Sequence, residues 1–505
     1  MVDELVFETN KKRKLFHFNN KNYRVERINE SNGKTYYSCY HCRIGRLKGD
    51  ETGYIIETKT CRDNCAANPL RLAADSARKG ALKECGERLD LTPQTCYDNA
   101  RRDLEASNPG AVVFFPSYHT MRSSLRRVRN KSIPAIPITF EEIPLGDAFP
   151  LNFRQDYNQQ EPFLFFNAEY IPEENDDVPK RILAFMNENS AQQLCNAEKI
   201  FLDGTFKICP KPFQQLLTIC TMRGVNETSR LIPRLYVLLP NKSAHCYSFL
   251  FNHIFEELAN QFQITRNSIR WRHVSMDFET GLIAAFRHTI SPPDSPNPVL
   301  QLDGCHFHFA QALYKKLVAP PISLSVEYNS DNSSLKRLFK KILALAFLPP
   351  ASVLPAFHQL LLTEIEAPFI NGDGEIVDER LFTFLEYILN YWLVNDFLLS
   401  MFNCFHRTER RTNNDMEGWH FKVQKKLNCI HPNLWTFITG LKLIDRDAVL
   451  EETQINVGAK MAQRCTKYRN KEAALKNMRR MFDNNQYPRH VDYLNALSHL
   501  MIDFN

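Results

Sequence analysis

Phe201-Leu202-Asp203-Gly204-Thr205-Phe206-Lys207 is an apolar run with one carboxylate at its centre and a glycine directly after it. Its β-favouring residues predict a strand that ends in a turn. Standing alone, an acid at a strand end is most often a turn-forming or capping residue. The weight of Asp203 changes because a second strand of the same kind follows, Val274-Ser275-Met276-Asp277-Phe278-Glu279. A later polar helix start, Asn413-Asn414-Asp415-Met416-Glu417-Gly418-Trp419-His420, supplies a further acid.

Working outward, residues 199–209, 214–222 and 230–239 read as three successive strands, with Pro and Gly/Asn turns between them. Ser243 is placed to cap a long amphipathic helix carrying Phe251, Ile254 and Leu258. Residues 268–276 form a fourth strand, 280–288 a short helix and 298–302 a fifth strand. The order β-β-β-α-β-α-β is that of a ribonuclease-H-like α/β fold, a mixed sheet with helices on its faces. In that fold the first and fourth strands are neighbours, so Asp203 and Asp277 approach each other. Two carboxylates so placed repel unless a divalent cation lies between them. A shared Mg²⁺ or Mn²⁺ would hold a scissile phosphate and its attacking water or 3′-hydroxyl in line.

Gly304-Cys305-His306-Phe307-His308-Phe309 follows the fifth strand and runs into a helix. With only two ligands in view, Cys305 and His308 read as structural or active-site-supporting residues rather than an independent zinc site. Residues 331–405 are almost wholly helical and apolar, an all-α insertion. It divides the catalytic core into 190–330 and 406–445 and leaves 446–505 as a C-terminal helical tail.

The front of the chain has a different character. The net charge is +6, yet the first 135 residues hold 25 Lys+Arg against 16 Asp+Glu. A basic module on a nearly neutral body points to a polyanionic partner at that end. Lys11-Lys12-Arg13-Lys14 is a run of the kind read by nuclear import receptors, or a solvated charged turn. Within 1–69, short β-type runs are threaded by Cys39-x-x-Cys42 and Cys61-x-x-x-Cys65. So few large aliphatics cannot build a core, and Zn²⁺ on Cys39, Cys42, Cys61 and Cys65 would supply the missing folding energy; four reduced thiols are the other reading. Residues 70–132 predict helices, the second capped by Thr92. The third carries Arg122, Arg126, Arg127 and Arg129, as a phosphate-docking surface or a solvated face. Residues 133–189 read as a linker.

Composition fits an ordinary soluble globular chain, with 44% hydrophobic and 24% charged residues. There is no run of eighteen apolar residues, and the first ten lack the pattern of a signal peptide, so neither membrane insertion nor secretion by that route is expected. Fourteen cysteines then read as reduced thiols plus a metal site.

Two resemblances follow from these residues. Leu15, Tyr23, Tyr36-Tyr37, Cys39, Cys42, Arg43 and Arg46 resemble the frame of a FLYWCH-type zinc finger, a DNA-binding β module. Tyr37 stands where that family has tryptophan, and a cysteine pair replaces its closing histidines. Further on, Phe201–Phe206, Met276-Asp277-Phe278-Glu279, the 304–313 stretch and the 412–420 stretch resemble, in order, the motifs of Mutator-like element transposases. This resemblance covers residues 190–443 or so. It implies a metal-binding DDE triad of Asp203, Asp277 and Glu417, with Cys305 and His308 as the family's C-x-x-H motif. It also implies DNA cleavage and strand transfer at terminal inverted repeats, in the nucleus, by a homodimer or higher oligomer, with Arg43, Arg46 and the arginines of 122–129 contacting DNA. The rival readings are a domesticated descendant that binds DNA and regulates transcription without catalysis, and an unrelated ribonuclease-H-like nuclease.

Overall fold

The structure, a computed structural model, describes residues 7–8, 14–18, 21–29, 33–40, 42–49, 55–61, 69–89, 91–173, 178–224, 228–290, 300–366, 369–371, 376–407, 411, 414–427, 431–463 and 465–504. It comprises two compact units, Met1–Pro134 and Ala135–Asn505.

In the first unit, β1 (Phe7–Glu8), β2 (Lys14–Phe18), β3 (Lys21–Asn29), β4 (Lys34–Cys39), β5 (Arg46–Gly49) and β6 (Ile55–Lys59) pair in chain order as an antiparallel sheet. Among the described residues its buried core comprises Tyr23, Cys39, Leu47 and Cys61. Three helices follow, α1 (Pro69–Glu87), α2 (Pro93–Ser107) and α3 (Tyr118–Ser132). Thr92 and Ser117 accept hydrogen bonds from the amides of Thr95 and Thr120, capping α2 and α3. Ala81, Leu82, Cys85, Cys96, Leu104 and Leu125 form the core of this bundle.

The second unit is built on a seven-stranded mixed sheet. Its strands are β7 (Leu164–Tyr170), β8 (Lys180–Phe185), β9 (Lys199–Thr205), β10 (Gln215–Arg223), β11 (Arg230–Leu239), β12 (His273–Met276) and β13 (Gln301–Gly304), in the order β13-β12-β9-β10-β11-β8-β7. β9, β12 and β13 run parallel, and all other pairs are antiparallel. The first and fourth strands of the expected core, β9 and β12, do lie side by side. The supposed linker is corrected here, because 164–185 supplies two more strands. Phe165, Phe166, Ala168 and Tyr170 are buried in the sheet core, and the polar 172–179 stretch between the strands disguised the pair as a linker.

The helices of this unit are α4 (Leu151–Arg154), α5 (Glu188–Cys195), α6 (Ala244–Phe262), α7 (Thr280–Ala285), α8 (His306–Val318), α9 (Ser325–Tyr328), α10 (Ser334–Ala344), α11 (Pro350–Thr363), α12 (Glu379–Tyr387), α13 (Asp396–Phe402), α14 (Asn414–Leu427), α15 (Leu434–Asn456), α16 (Thr466–Asp483) and α17 (His490–Ser498). Ser243 caps α6 as expected. α5, α6 and α7 bury one face of the sheet against Ile200, Leu202, Leu217, Ile219, Val237, Val274 and Met276. α14 and α15 cover the other face. The insertion is helical, but its core is shared with residues outside 331–405. Phe309, Leu313 and Leu317 of α8 join it, as do Leu475, Val491, Tyr493, Leu494 and Leu497 of α16 and α17. The boundary at 445 also falls inside α15, so 446–505 is not a separate tail. Among the described residues no helix is long and apolar enough to cross a membrane.

α15 is clamped to the sheet by buried charge. Arg234 donates to Glu452 at 2.6 Å and to Thr221 Oγ1 at 2.9 Å, and Arg223 reaches the same carboxylate at 2.8 Å. Burial works against the Glu452 carboxylate, but the two guanidinium groups hold its pKa below the ordinary range. Removing one partner of such a group leaves a buried charge uncompensated. Glu452→Ala should therefore cost about 3–5 kcal/mol, read as a fall in the thermal unfolding midpoint; an unchanged midpoint would refute the clamp.

Nearby, Tyr236 donates to Asp445 at 3.2 Å. Burial raises the Asp445 carboxyl against the pull of Tyr236 and Arg234, and its pKa is pushed up to about 7. This lies above the unfolded value of about 3.9, so the folded state binds the extra proton between those limits. Its contribution to stability is present at low pH and is lost as pH climbs from about 4 to about 7. Asp445→Asn should gain in melting midpoint relative to the native protein over that climb; parallel pH profiles would disprove it.

Candidate active site

Strand alternation decides which acids meet. In β9, Ile200 and Leu202 point into the core under α6, and Phe201 points to the opposite face beside Met416. Asp203 is in phase with Phe201 and lies on the α14 face. In β12, Val274 and Met276 enter the α6-side core, which turns Ser275 and Asp277 to the α14 side. The parallel register sets Ser275 opposite Phe201. Two residues further on, Asp277 comes level with Asp203.

Glu417 arrives on α14. Met416 seats that helix on Phe201 and Cys220. Trp419 stacks on Tyr236 at 5.9 Å between ring centroids, so the tryptophan packs the helix. Glu417 and His420 are three residues apart and share a helix face. Desolvation raises the Glu417 carboxyl; the Asp203 and Asp277 charges push the same way, while His308 and His420 pull it back. The three acids, separated widely in sequence, thus lie within electrostatic reach of one another.

Each aspartate has an imidazole partner. His420 Nδ1 lies 3.1 Å from Asp203 Oδ2, and the Gly204 amide donates to Asp203 Oδ1 at 2.8 Å. His308 Nδ1 lies 2.6 Å from Asp277 Oδ1. Burial disfavours the charged form of His308, but Asp277 and Cys305 overcome it, and its pKa is pushed up to about 10. Cys305 is the N-cap residue of α8, and its amide donates to the Met276 carbonyl at 3.0 Å. This bond ties the start of α8 to the strand end that carries Asp277. Gly304 allows the approach, since a Cβ there would lie 2.2 Å from the Phe278 ring. The structure thus brings Cys305 and His308 together with Asp277.

Four residues near the acids had no reading as site residues in the sequence. His420 stands in the sequence only as the end of the polar helix start, three residues after Glu417. Glu279 lies beside Asp277, where burial raises its carboxyl. The Tyr247 hydroxyl sits 3.0 Å from it and donates to Gln215 Oε1 at 2.7 Å. Nothing local in the sequence marks Tyr247 or Gln215.

The small sheet holds a second cluster. The sulfurs of Cys39, Cys42 and Cys61 lie within 4.8 Å of one another and could hold a metal ion. The Ile44 amide points at Cys42 Sγ at 3.4 Å, and Arg43 takes a left-handed φ of 55° in the turn. Gly45 makes room, because a Cβ there would lie 2.3 Å from Cys61 Sγ. Burial pushes the Cys61 thiol up, and Cys39 and Cys42 add to the effect. Cys65, the expected fourth ligand, lies outside the described residues, as do Lys11, Lys12 and Arg13.

The arginines expected to meet DNA divide into two groups. Arg122, Arg126 and Arg127 are exposed on α3. Arg129 turns inward and donates to the carbonyls of Leu89 and Leu91, so it fixes the end of the α1–α2 connection instead of presenting its charge. Arg46 is paired with Glu26 at 2.6 Å. Neither is a free phosphate ligand in this structure.

Against known proteins, no family model matches the chain and no curated protein matches its sequence.

The thiol cluster makes a direct demand. The full-length protein should lose about one zinc equivalent per chain on Cys42→Ser, measured by elemental analysis of metal-replete protein. An unchanged zinc content would leave the cluster as three reduced thiols.

Proposed function

We propose that this chain is a DNA transposase of the Mutator-like type, cutting and joining DNA through Asp203, Asp277 and Glu417. One observation carries the reading: three acids from two strands and a distant helix share a single electrostatic environment. The strand order, with β9 and β12 adjacent at the centre of a mixed sheet, supports a ribonuclease-H-like core.

The donor set fits divalent cations. Asp203 and Asp277 sit level on neighbouring strands, and their charges raise the proton affinity of Glu417, a repulsion that a cation relieves. His420 Nε2 is buried without a hydrogen-bond partner, so the polar surroundings of Asp203 are incomplete as they stand. Bound Mg²⁺ or Mn²⁺ would neutralise phosphate charge and activate water or a 3′-hydroxyl. The chain itself holds the two aspartates in place. His308 and His420 orient Asp277 and Asp203, and Gly204 fixes the second oxygen of Asp203.

In this reading the thiol cluster of the small sheet takes Zn²⁺, and that module together with the exposed face of α3 grips duplex DNA. The DNA would be the terminal inverted repeats of the element and its target. Phosphate contacts from Arg122, Arg126 and Arg127 give affinity and register without sequence preference. The protein would act in the nucleus, as a dimer or larger assembly on DNA.

The test uses full-length protein, duplex DNA ending in the inverted repeats that flank its own gene, and Mg²⁺ or Mn²⁺. Nicking and strand joining should occur and fall by about a hundredfold or more in Asp203→Asn and Asp277→Asn, while DNA binding persists. Cleavage that survives both substitutions would overturn the assignment. Binding without cleavage in the native protein would favour the domesticated, non-catalytic descendant.

A further inference from the structure

Asp277, Cys305 and His308 offer a carboxylate oxygen, a sulfur and an imidazole nitrogen that all lie within 4.8 Å of one another. Around a tetrahedral zinc ion, with bonds of about 2.0–2.3 Å, neighbouring ligand atoms stand about 3.5 Å apart. The cluster therefore needs only small side-chain rotations to close on one ion. The 2.6 Å contact between His308 and Asp277 would open to admit it. Two features hold the ligands in place before any ion arrives. Cys305 and His308 sit three residues apart at the start of α8, facing the same side, and the Cys305 amide is bonded to the Met276 carbonyl next to Asp277. Magnesium prefers oxygen donors, whereas thiolate and imidazole select zinc and its chemical relatives.

We infer that Asp277, Cys305 and His308 form a zinc site that overlaps the acidic site and withdraws Asp277 from it when occupied. Three protein ligands leave a fourth position for water or an added anion. Zinc here is an inhibitor that competes for a shared ligand, and it is distinct from the zinc of the small sheet. The inhibitory consequence rests on the proposed nuclease chemistry; the binding site itself does not.

Cobalt(II) is the probe, since it occupies zinc sites and shows thiolate charge-transfer and ligand-field bands. Metal-free full-length protein titrated with Co²⁺ should bind two equivalents per chain. Cys305→Ser should bind one, with a weaker charge-transfer band. His308→Gln should keep the thiolate but weaken the second site by more than the roughly 10- to 100-fold that loss of an outer-shell partner costs. If Cys305→Ser does not fold, judged by circular dichroism, His308→Gln decides the question. Equal equivalents and equal bands in the native protein and the variants would overturn the site. So would loss of the whole charge-transfer band in Cys39→Ser/Cys42→Ser. With the site established by cobalt, zinc added beyond the first equivalent should suppress nicking in Mn²⁺; nicking that continues with both zinc equivalents bound would overturn the inhibition. Absence of nicking at every metal concentration would count against the proposed function and leave the cobalt result standing, because that result is read without DNA.

Discussion

β12 pairs with β9 over only three residues, His273 with Lys199, Val274 with Ile200 and Ser275 with Phe201, and the arrangement of the acids follows from that short register. Side chains on a strand alternate, so a slip of one residue would send Asp277 into the α6-side core and bring Met276 to the α14 face. The apolar residues enforce the register: Val274 and Met276 belong to the same buried cluster as Ile200 and Leu202, and neither strand can slide without exposing them. Later elements are set against this pair. α8 starts from a hydrogen bond to Met276, and α14 rests its Met416 on Phe201. The imidazoles of His308 and His420 reach the two aspartates because both helices are referenced to the same two strands.

Much of this was legible in the sequence, and the reason is periodicity. Strands β9 to β11 are long and apolar, and Ser243 and Thr92 are strong capping residues, so those elements announce themselves locally. The acids at the ends of β9 and β12 followed once the strand order was in hand. What stayed hidden depends on long-range packing. β7 and β8 lie in a stretch whose polar middle outweighed two short strands. His420 acquires meaning only through its distance to Asp203, a residue more than two hundred positions earlier. The charges that clamp α15, Arg223, Arg234 and Glu452, lie on different elements and are ordinary residues when read one at a time.

The arginines teach a related point about charge read from sequence. Arg122, Arg126 and Arg129 share a helix face by spacing, yet their environments differ. Arg129 spends its donors on the carbonyls of Leu89 and Leu91, and Arg46 spends its charge on Glu26. A guanidinium near backbone carbonyls or a carboxylate is part of the scaffold, whatever the net charge of the segment around it. Among the described arginines of the first unit, those left to solvent are therefore fewer than the composition implies.

The mixed parentage of the large helical core bears on how the molecule comes into being. α8 carries Cys305 and His308, and it buries Phe309, Leu313 and Leu317 in a cluster completed by Leu475 and by Val491, Leu494 and Leu497 from the far end of the chain. During synthesis, the helix that steadies Asp277 has no finished seat until α17 has emerged. Glu417, too, is translated after the whole insertion. A nascent chain stopped short of residue 490 would have β9 and β12 but would leave the helical core short of Val491, Tyr493, Leu494 and Leu497. The seat of His308 beside Asp277 is thereby tied to residues translated well after the strands that carry the two aspartates.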